Sequence, residues 1–595
     1  MKITVPGMKP VPAKPASSGQ ARRPGRPRRK GLLSLLATAA VVLFVAAGCA
    51  AIPTDGPVGK SDPLSPRTNS VNVNYTQYKP VAGASPESII RGFIDSGTGI
   101  EDDFQTARQY LAAGLAQSWA ADKRTLVYTN AFAVKPGKTK DSYLVTFDTV
   151  SSVDSMGVLT PLPAGSTETI EMDLVQVNGE WRIAKVPDGL VLSQDTFGVL
   201  FKPVSLYFYD ASYTYGVPDV RWLAARSSGT ATAIVRAMLD GPAPYLKGAV
   251  VSAFPTGMAL ARDSVSVNNG LAKVGLTSQP LLESSVRQRQ QMHAQLLVTL
   301  QKTLNDVTEV QFLADDREVD MGGSSDAVPA MVIDNPVPPV QVGLSKNALA
   351  TYDGSTVAAV PGLAPIADLG PNEPAISYNG KEFAFLSADG NHAFTVSAGH
   401  EPANLLAGVA LTAPSFAPNG WLWSAAGDGS GTVLAVNPNS KAKDPAPVVL
   451  SVPWLVGQQV TTLRISRDGT RALVISNANG ESRVSITGIS RSGDVPKELT
   501  APINLAHEGA PTLGVWAGET SVAAIAPSAK SDVAVQILDL SRAPAKLAPI
   551  KGITWISAGA GVRNVHAQTP TEMYALVGSN WQVATKGLGQ ASFAG

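Results

Sequence analysis

Residues 341–595 carry a recurring motif: "ISYNGKEFAFLS", "FAPNGWLWSAAG", "ISRDGTRALVIS" and "VWAGETSVAAIA". Each copy has an apolar residue, a turn bearing glycine, and an alternating strand. The turn glycines are Gly380, Gly420, Gly469 and Gly518, spaced 40, 49 and 49 residues apart. A repeat of about 40–50 residues made of short strands predicts a β-propeller. At about 45 residues per unit this segment holds five or six blades. A further, degenerate copy starts near "WISAGAGVRNV". The rival reading is another all-β architecture in which the Asn/Asp-Gly turns recur by chance.

Upstream the periodicity changes to mixed helix and strand. In "GASPESIIRGFIDSG", Ser85 is placed to cap a helix and Pro86 to open it, with Ile89, Ile90, Phe93 and Ile94 on one face. A second helix is expected through Phe104, Ala107, Tyr110, Leu111, Leu115 and Trp119. Strand-like runs follow, the last broken by the hairpin signal Asn178-Gly179. Together they predict an α+β domain over 75–199. A second α+β domain is expected over 200–320. It contains the helix "TATAIVRAMLDGP", stopped by Gly241-Pro242, and a hairpin at Asn269-Gly270. It also contains an amphipathic helix with His293, Leu296, Leu297, Leu300 and Leu304 on one stripe. "MGGSSDAVPAMVIDNPVPPV" (321–340) reads as a Gly/Pro-rich linker. The expected fold class is multidomain: two α+β domains followed by an all-β propeller over 341–595.

The N-terminus carries the export signal. A basic patch with Arg22, Arg23, Arg26, Arg28, Arg29 and Lys30 precedes an uncharged run from Gly31 to Gly48. Ala46, Ala47 and Gly48 then lead to Cys49, the only cysteine of the 595 residues. A basic, apolar, then small-residue order describes a secretory signal peptide, here 1–48 with a long n-region. The small residues ending in Gly-Cys resemble a bacterial lipobox, although Ala46 stands where leucine is preferred. That resemblance implies cleavage between Gly48 and Cys49 and lipid attachment to Cys49 through diacylglyceryl and acyl (palmitate-type) chains. An uncleaved membrane anchor and an ordinary buried cysteine are the competing readings. Arg28-Arg29 leaves the export route open between the general and twin-arginine pathways. Residues 49–74, with four prolines between Ala51 and Ser70, read as a tether, reaching about 60 Å if extended at ~3.1 Å per residue.

A formal net charge of +1 gives no reason to expect a nucleic acid partner. An exported chain without disulfides must rely on ordinary cores, so each domain has to be large enough to bury one. Chemistry-bearing motifs fail on inspection. Gly59-Lys60-Ser61 and Gly137-Lys138-Thr139 look like P-loop ends, but Thr54 and Phe132 stand at the required first glycine. His400-Glu401 and His507-Glu508 begin a zinc motif that Asn404 and Pro511 break. "GDGSGT" at Gly427 reads as an acidic turn, His293 as a packed core residue, and Trp421 and Trp423 as blade packing. No catalytic, cofactor or metal residue is assigned, and the chain is read as a non-enzyme.

The order of these segments, together with "GASPESIIRGFIDSG", "VPDVRWLA" and "IVRAMLDGPAPYLKGAVVSAFPTGMAL", resembles the actinobacterial LpqB lipoproteins over essentially the mature chain. Residues 239–316 also resemble GerM-type domains of sporulation and germination proteins. The resemblance implies a lipid-anchored protein on the outer face of the cell membrane. It further implies contact with the outer part of the sensor kinase MtrB, modulating two-component signalling in cell-envelope homeostasis. A peptidoglycan- or glycan-binding sensor and a cell-wall hydrolase using the propeller are the alternatives.

Overall fold

The computed structural model describes residues 77–224, 229–322, 328–440 and 445–595. The leader, the lipobox with Cys49, and the tether lie outside the described residues.

In the N-terminal module the helix α1 (Pro86–Asp95) begins as its sequence dictates. The Ser85 side chain accepts from the Ser88 amide at 3.3 Å, Pro86 takes the first position, and Ile89, Ile90, Phe93 and Ile94 are buried. They pack on a sheet of β1 (Arg124–Pro136), β2 (Ser142–Asp154), β3 (Leu159–Pro161), β4 (Thr167–Val177), β5 (Glu180–Lys185) and β6 (Leu190–Ser193). The sheet order is β5-β4-β2-β1-β6, with β3 beside β2. Asn178 and Gly179, both left-handed at φ 54° and 81°, make the β4–β5 turn. The expected second helix is broken. Asp103 and Phe104 are left-handed, only Gln105–Arg108 and Ala113–Ser118 are helical, and Leu111 between them bridges to Ile183 on the sheet edge. Satisfying the β5 edge competes with helix continuity there, and the edge wins.

The next module opens with the antiparallel pair β7 (Phe201–Tyr209) and β8 (Gly216–Ala224), followed by α2 (Thr230–Leu239). Its second sheet runs β12-β11-β10-β9, from β9 (Ser266–Asn268), β10 (Leu271–Gly275), β11 (Glu309–Ala314) and β12 (Arg317–Glu318). β10 and β11 are parallel, so they need a crossover, and α3 (Val286–Thr303) supplies it. The buried face of α3 is rotated from the expected stripe: Met292, Gln295, Leu296, Thr299 and Leu300 point inward. Two polar residues sit there because each is bonded. Gln295 accepts from the Ala253 amide at 2.8 Å, and Thr299 accepts from the Tyr207 amide at 3.0 Å.

Among the described residues, 341–595 form six sheets of four or five strands. Their inner strands are Asn372–Ile376, Ser415–Phe416, Gln459–Ile465, Leu513–Trp516, Trp555–Ala558 and Gly589–Ser592. Each neighbours the next, and the last neighbours the first, so the ring closes. These are propeller blades. The first blade joins both ends of the segment: Gln341–Ser345 pairs with Gly589–Ser592. Blade count is therefore six, the upper of the two numbers the repeat length allows. Gly380, Gly420 and Gly469 close inner turns in left-handed conformation. Gly518 does not; it follows Ala517 directly, early in its turn, where a left-handed φ is not required.

The described part of the expected linker is not a free connector. Val332 exchanges hydrogen bonds with Thr214 and Gly216, Met331 is buried, the Asp334 amide donates to Glu519, and Val337 enters a propeller core. Its composition suggested flexibility, but Met331 and Val337 are buried and the Val332 and Asp334 amides are bonded.

Candidate functional site

Charges inside strands demand partners, and "VPDVRWLA" supplies them in β8. Asp219 and Arg221 are fully buried. Arg221 donates to both Asp219 oxygens at 2.8 and 2.7 Å, to the Met156 carbonyl at 2.7 Å and to the Gly241 carbonyl at 3.0 Å. Asp219 also accepts from the Ala243 amide at 2.8 Å. Burial disfavours the guanidinium charge, but the bidentate carboxylate outweighs it and raises the Arg221 pKa. The adjacent Trp222 donates both of its N–H groups outside its own module. Its amide donates to the Gly157 carbonyl at 2.7 Å, and its indole N–H donates to the Leu540 carbonyl at 3.2 Å. Three residues thus join the N-terminal module, the second module and the propeller.

A second joint uses the helix end "DGPAPYLKGA". Residues 244–246 form a single 3₁₀ turn against the strand Glu481–Ser492. The Thr500 hydroxyl donates to the Tyr245 carbonyl. Gly488 is required by the closeness of approach: a Cβ there would stand 2.7 Å from the Ala249 Cβ and from the Tyr245 carbonyl oxygen. Burial pushes the Tyr245 phenol pKa up. One apolar core spans both sides, from Leu206, Met238 and Leu296 to Leu473, Ile486 and Val522.

Buried charge also lies on the propeller's inner strands. Arg464 is buried, donates to the Pro414 carbonyl at 2.7 Å, and is pulled down to about 10 by burial, with Glu373 opposing the shift. Burial likewise pushes the Glu373 carboxyl up. Where the inner turns ring the channel, Tyr378, Arg464, Arg467, Trp516 and Phe593 line a space of about 30 Å³, room for about one water. The N-terminal module keeps a mainly apolar pocket of about 50 Å³ between α1 and its sheet, with Phe93, Trp119, Leu126 and Met172 on its walls. An open groove of about 320 Å³ crosses the outer face of the second module's sheet. Lys273, Ser264 and Ser266 line it, and the Arg262–Asp316 pair adjoins it.

The residues singled out in the sequence fall as follows. Cys49 and the Gly48–Cys49 bond lie outside the described residues. His293 lies half-buried, edge-on to Phe312 at 6.3 Å, and burial lowers its pKa. Trp421 and Trp423 are buried in one inter-blade core. Asp428 accepts from the Ser430 amide and shapes a tight turn. His400 and His507 are apart, the first bonded to the Ala398 carbonyl in its own turn and the second to the Ser482 carbonyl. Among the described residues no three His, Cys, Asp or Glu gather as a metal-binding group. Sequence reading missed Asp219, Arg221 and the buried Asp468–Arg471 pair. The signal was available: an acid and a base two or three residues apart inside an otherwise apolar strand or turn.

An α+β head docked on a six-bladed propeller through buried polar joints is a three-module, non-modular-looking body. Comparison with known proteins gives it a family. Residues 79–198 match the model described as the lipoprotein LpqB N-terminal domain. Residues 205–320 match the sporulation and spore germination (Germane) model, and 347–592 the lipoprotein LpqB beta-propeller domain. The chain belongs to the LpqB lipoprotein family. It is 26% identical to the lipoprotein LpqB of Thermobifida fusca, over 81% of this chain and 87% of that one. It is also 26% identical to that of Rhodococcus opacus, over 91% of each. Among solved structures it is similar to a chain of a nidogen/laminin complex, with a TM-score of 0.31 and 11% identity over 43% of this chain and 97% of that one. TolB from Acinetobacter baumannii gives 0.29 and 14% over 56% and 81%. Scores this low carry no argument; the propeller assignment rests on the closed ring of sheets. None of the three family descriptions is of an enzyme. Among the described residues no helix is long and apolar enough to cross a membrane.

Proposed function

We propose that this chain is a membrane-anchored, extracytoplasmic binding protein that modulates a sensor histidine kinase of the MtrB type. It is exported on a signal peptide, cleaved before Cys49, and held to the outer face of the cell membrane by acyl chains on that residue. Two or more long chains give firm anchoring at about 0.8 kcal/mol per buried CH₂. The observation that carries the binding reading is the joining of three modules by buried polar contacts. The interior is given to packing, and the outer surface is left for recognition. Anchoring the protein beside an anchored receptor raises their effective concentration, so a modest affinity suffices.

The test separates binding from anchoring. A Cys49→Ala form that is still exported should keep its fold and its affinity for the kinase's outer domain. It should fail to signal at native expression and recover partly on overexpression, read with a kinase-dependent reporter. Full signalling by a demonstrably unanchored form removes the tethering argument. Absence of binding between the purified exported chain and the kinase's outer domain turns the reading to a cell-wall glycan sensor.

A further inference from the structure

Glu519 occupies an unusual place. It sits in the inner turn of the fifth blade, between Leu513–Trp516 and Ser521–Ile525. One carboxylate oxygen accepts from the Tyr207 hydroxyl at 3.0 Å, across the junction with the second module. The other accepts from the Asp334 amide at 2.7 Å, on the segment that connects the two modules. Its backbone carbonyl accepts from Arg471 of the fourth blade at 2.7 Å. One residue therefore holds three separate pieces of chain.

Each of the three is itself fixed. Tyr207 is buried, with its amide bonded to Thr299 of α3. Burial, followed by the charge of Glu519, raises its phenol pKa, so it stays a donor. Arg471 is buried, donates to Asp468 at 2.6 and 3.1 Å, and lies 5.0 Å over the Trp516 ring. The connecting segment is bound at successive residues. Val332 pairs with the backbone beside β8, Asp334 meets Glu519, the Asn335 amide group donates to the Arg467 carbonyl at 2.9 Å, and Val337 enters the core shared by the first two blades. Gly216 receives it closely, since a Cβ there would stand 2.6 Å from the Met331 sulfur.

We propose that Glu519 is a latch. Its carboxylate couples the opening of the second module to that of the propeller, with the segment 331–337 as the strap it holds. Among the described residues the remaining contacts across this junction are apolar packing and single neutral hydrogen bonds, such as Trp222 to Leu540 and Thr500 to Tyr245. Those are weaker individually than bonds to an ionised acceptor. The carboxylate provides two such bonds at one point, one to the strap at Asp334 and one to the second module at Tyr207. Removing it leaves every module's own core intact, so the strap is the first element released.

Hydrogen exchange on the full exported chain tests this. Glu519→Ala is expected to speed exchange of the Asp334 and Val332 amides by about tenfold or more. Tyr207→Phe, which removes one of the two bonds, is expected to give a smaller rise at the same amides. Glu519→Gln keeps one acceptor and should fall between wild type and Glu519→Ala. Calorimetry of the wild type should show the second module and the propeller melting together, and Glu519→Ala should separate them. If Glu519→Ala does not fold, Tyr207→Phe decides alone. Unchanged exchange at Asp334 in the folded variants overturns the latch, as does wild-type melting of the two modules in separate transitions.

Discussion

The N-terminal module and the junction of the second module with the propeller are closed by opposite means. In the first, the interior is aromatic. Phe93 and Phe104 meet Trp119 edge-on at 5.3 and 6.2 Å, and Tyr128, Phe132 and Phe147 form a second cluster. Its ion pairs, such as Arg124–Glu168, stay partly exposed. At the junction the pairs Asp219–Arg221 and Asp468–Arg471 are buried. Apolar burial is strong but non-directional, and a module's own topology already sets its register. Between modules topology does not, and Arg221, bonded to Asp219 and to the Met156 carbonyl of the N-terminal module, accepts only one arrangement. That buried charge here serves specificity is a hypothesis, and it can be broken by experiment.

The largest effect is expected at Arg221. Arg221→Met strands the Asp219 carboxylate in the interior with the Ala243 amide, and a lone buried charge costs about 3–5 kcal/mol. The urea midpoint should fall accordingly, with an unchanged slope. If the pair gives specificity more than stability, Asp219→Asn combined with Arg221→Met should recover roughly half of that loss or more. Such a double variant should nevertheless hold the three modules less tightly, seen as faster exchange at Trp222 and Gly157. A double variant as unstable as the single one, with unchanged exchange, removes the contrast drawn above.

Much of this architecture was legible because it is local. Asn178-Gly179 and Asn269-Gly270 need only two residues to specify a turn, and Ser85-Pro86 needs no more to start α1. Gly380, Gly420 and Gly469 marked the propeller for the same reason. The first blade was not legible as a unit, because its strands come from residues 341–359 and 589–592, too far apart for a repeat to reveal. Nor was the latch, in which Tyr207 meets Glu519 across 312 positions. The broken second helix was misread because apolar spacing was satisfied while the sheet edge at Ile183 claimed the backbone. Cys49 rests on the sequence alone.

A second prediction concerns a buried ionisable group without a counter-ion. His566 in the sixth blade is 8% exposed, lies 5.5 Å from Phe593, and has its Nδ1 without a partner. Burial lowers its pKa from 6.5 to about 4. The unfolded chain therefore binds the proton first as pH falls. The stability at stake is fully present above pH ~6.5 and is lost progressively down to about pH 4, by about 3 kcal/mol in total. His566→Leu should flatten the acid dependence of the propeller's melting temperature across that window. Equal acid sensitivity in the variant and the wild type would falsify the assignment.

The smallest expected effect returns to the N-terminal module, where apolar packing is incomplete. Gly97 lies on the wall of its 50 Å³ pocket, is buried, and has an ordinary right-handed backbone. A Cβ there would meet Leu192 Cδ2 at 3.6 Å, Leu190 Cδ2 at 3.8 Å and the Val191 carbonyl oxygen at 3.9 Å. All are ordinary contact distances, so the methyl fits without displacing anything. Gly97→Ala also removes conformational freedom from the unfolded chain, which alone is worth about 0.4–1 kcal/mol. The variant should melt slightly higher, with the gain confined to the N-terminal module. The contrasting substitution is Gly488→Ala at the junction, where the new methyl would meet Ala249 and Tyr245 at 2.7 Å. That change should destabilise by about 1–3 kcal/mol through overpacking. Calorimetry of the two variants side by side measures how much slack each region holds. A loss at Gly97 or a gain at Gly488 would reverse the picture of a loosely filled module bolted to a tightly fitted joint.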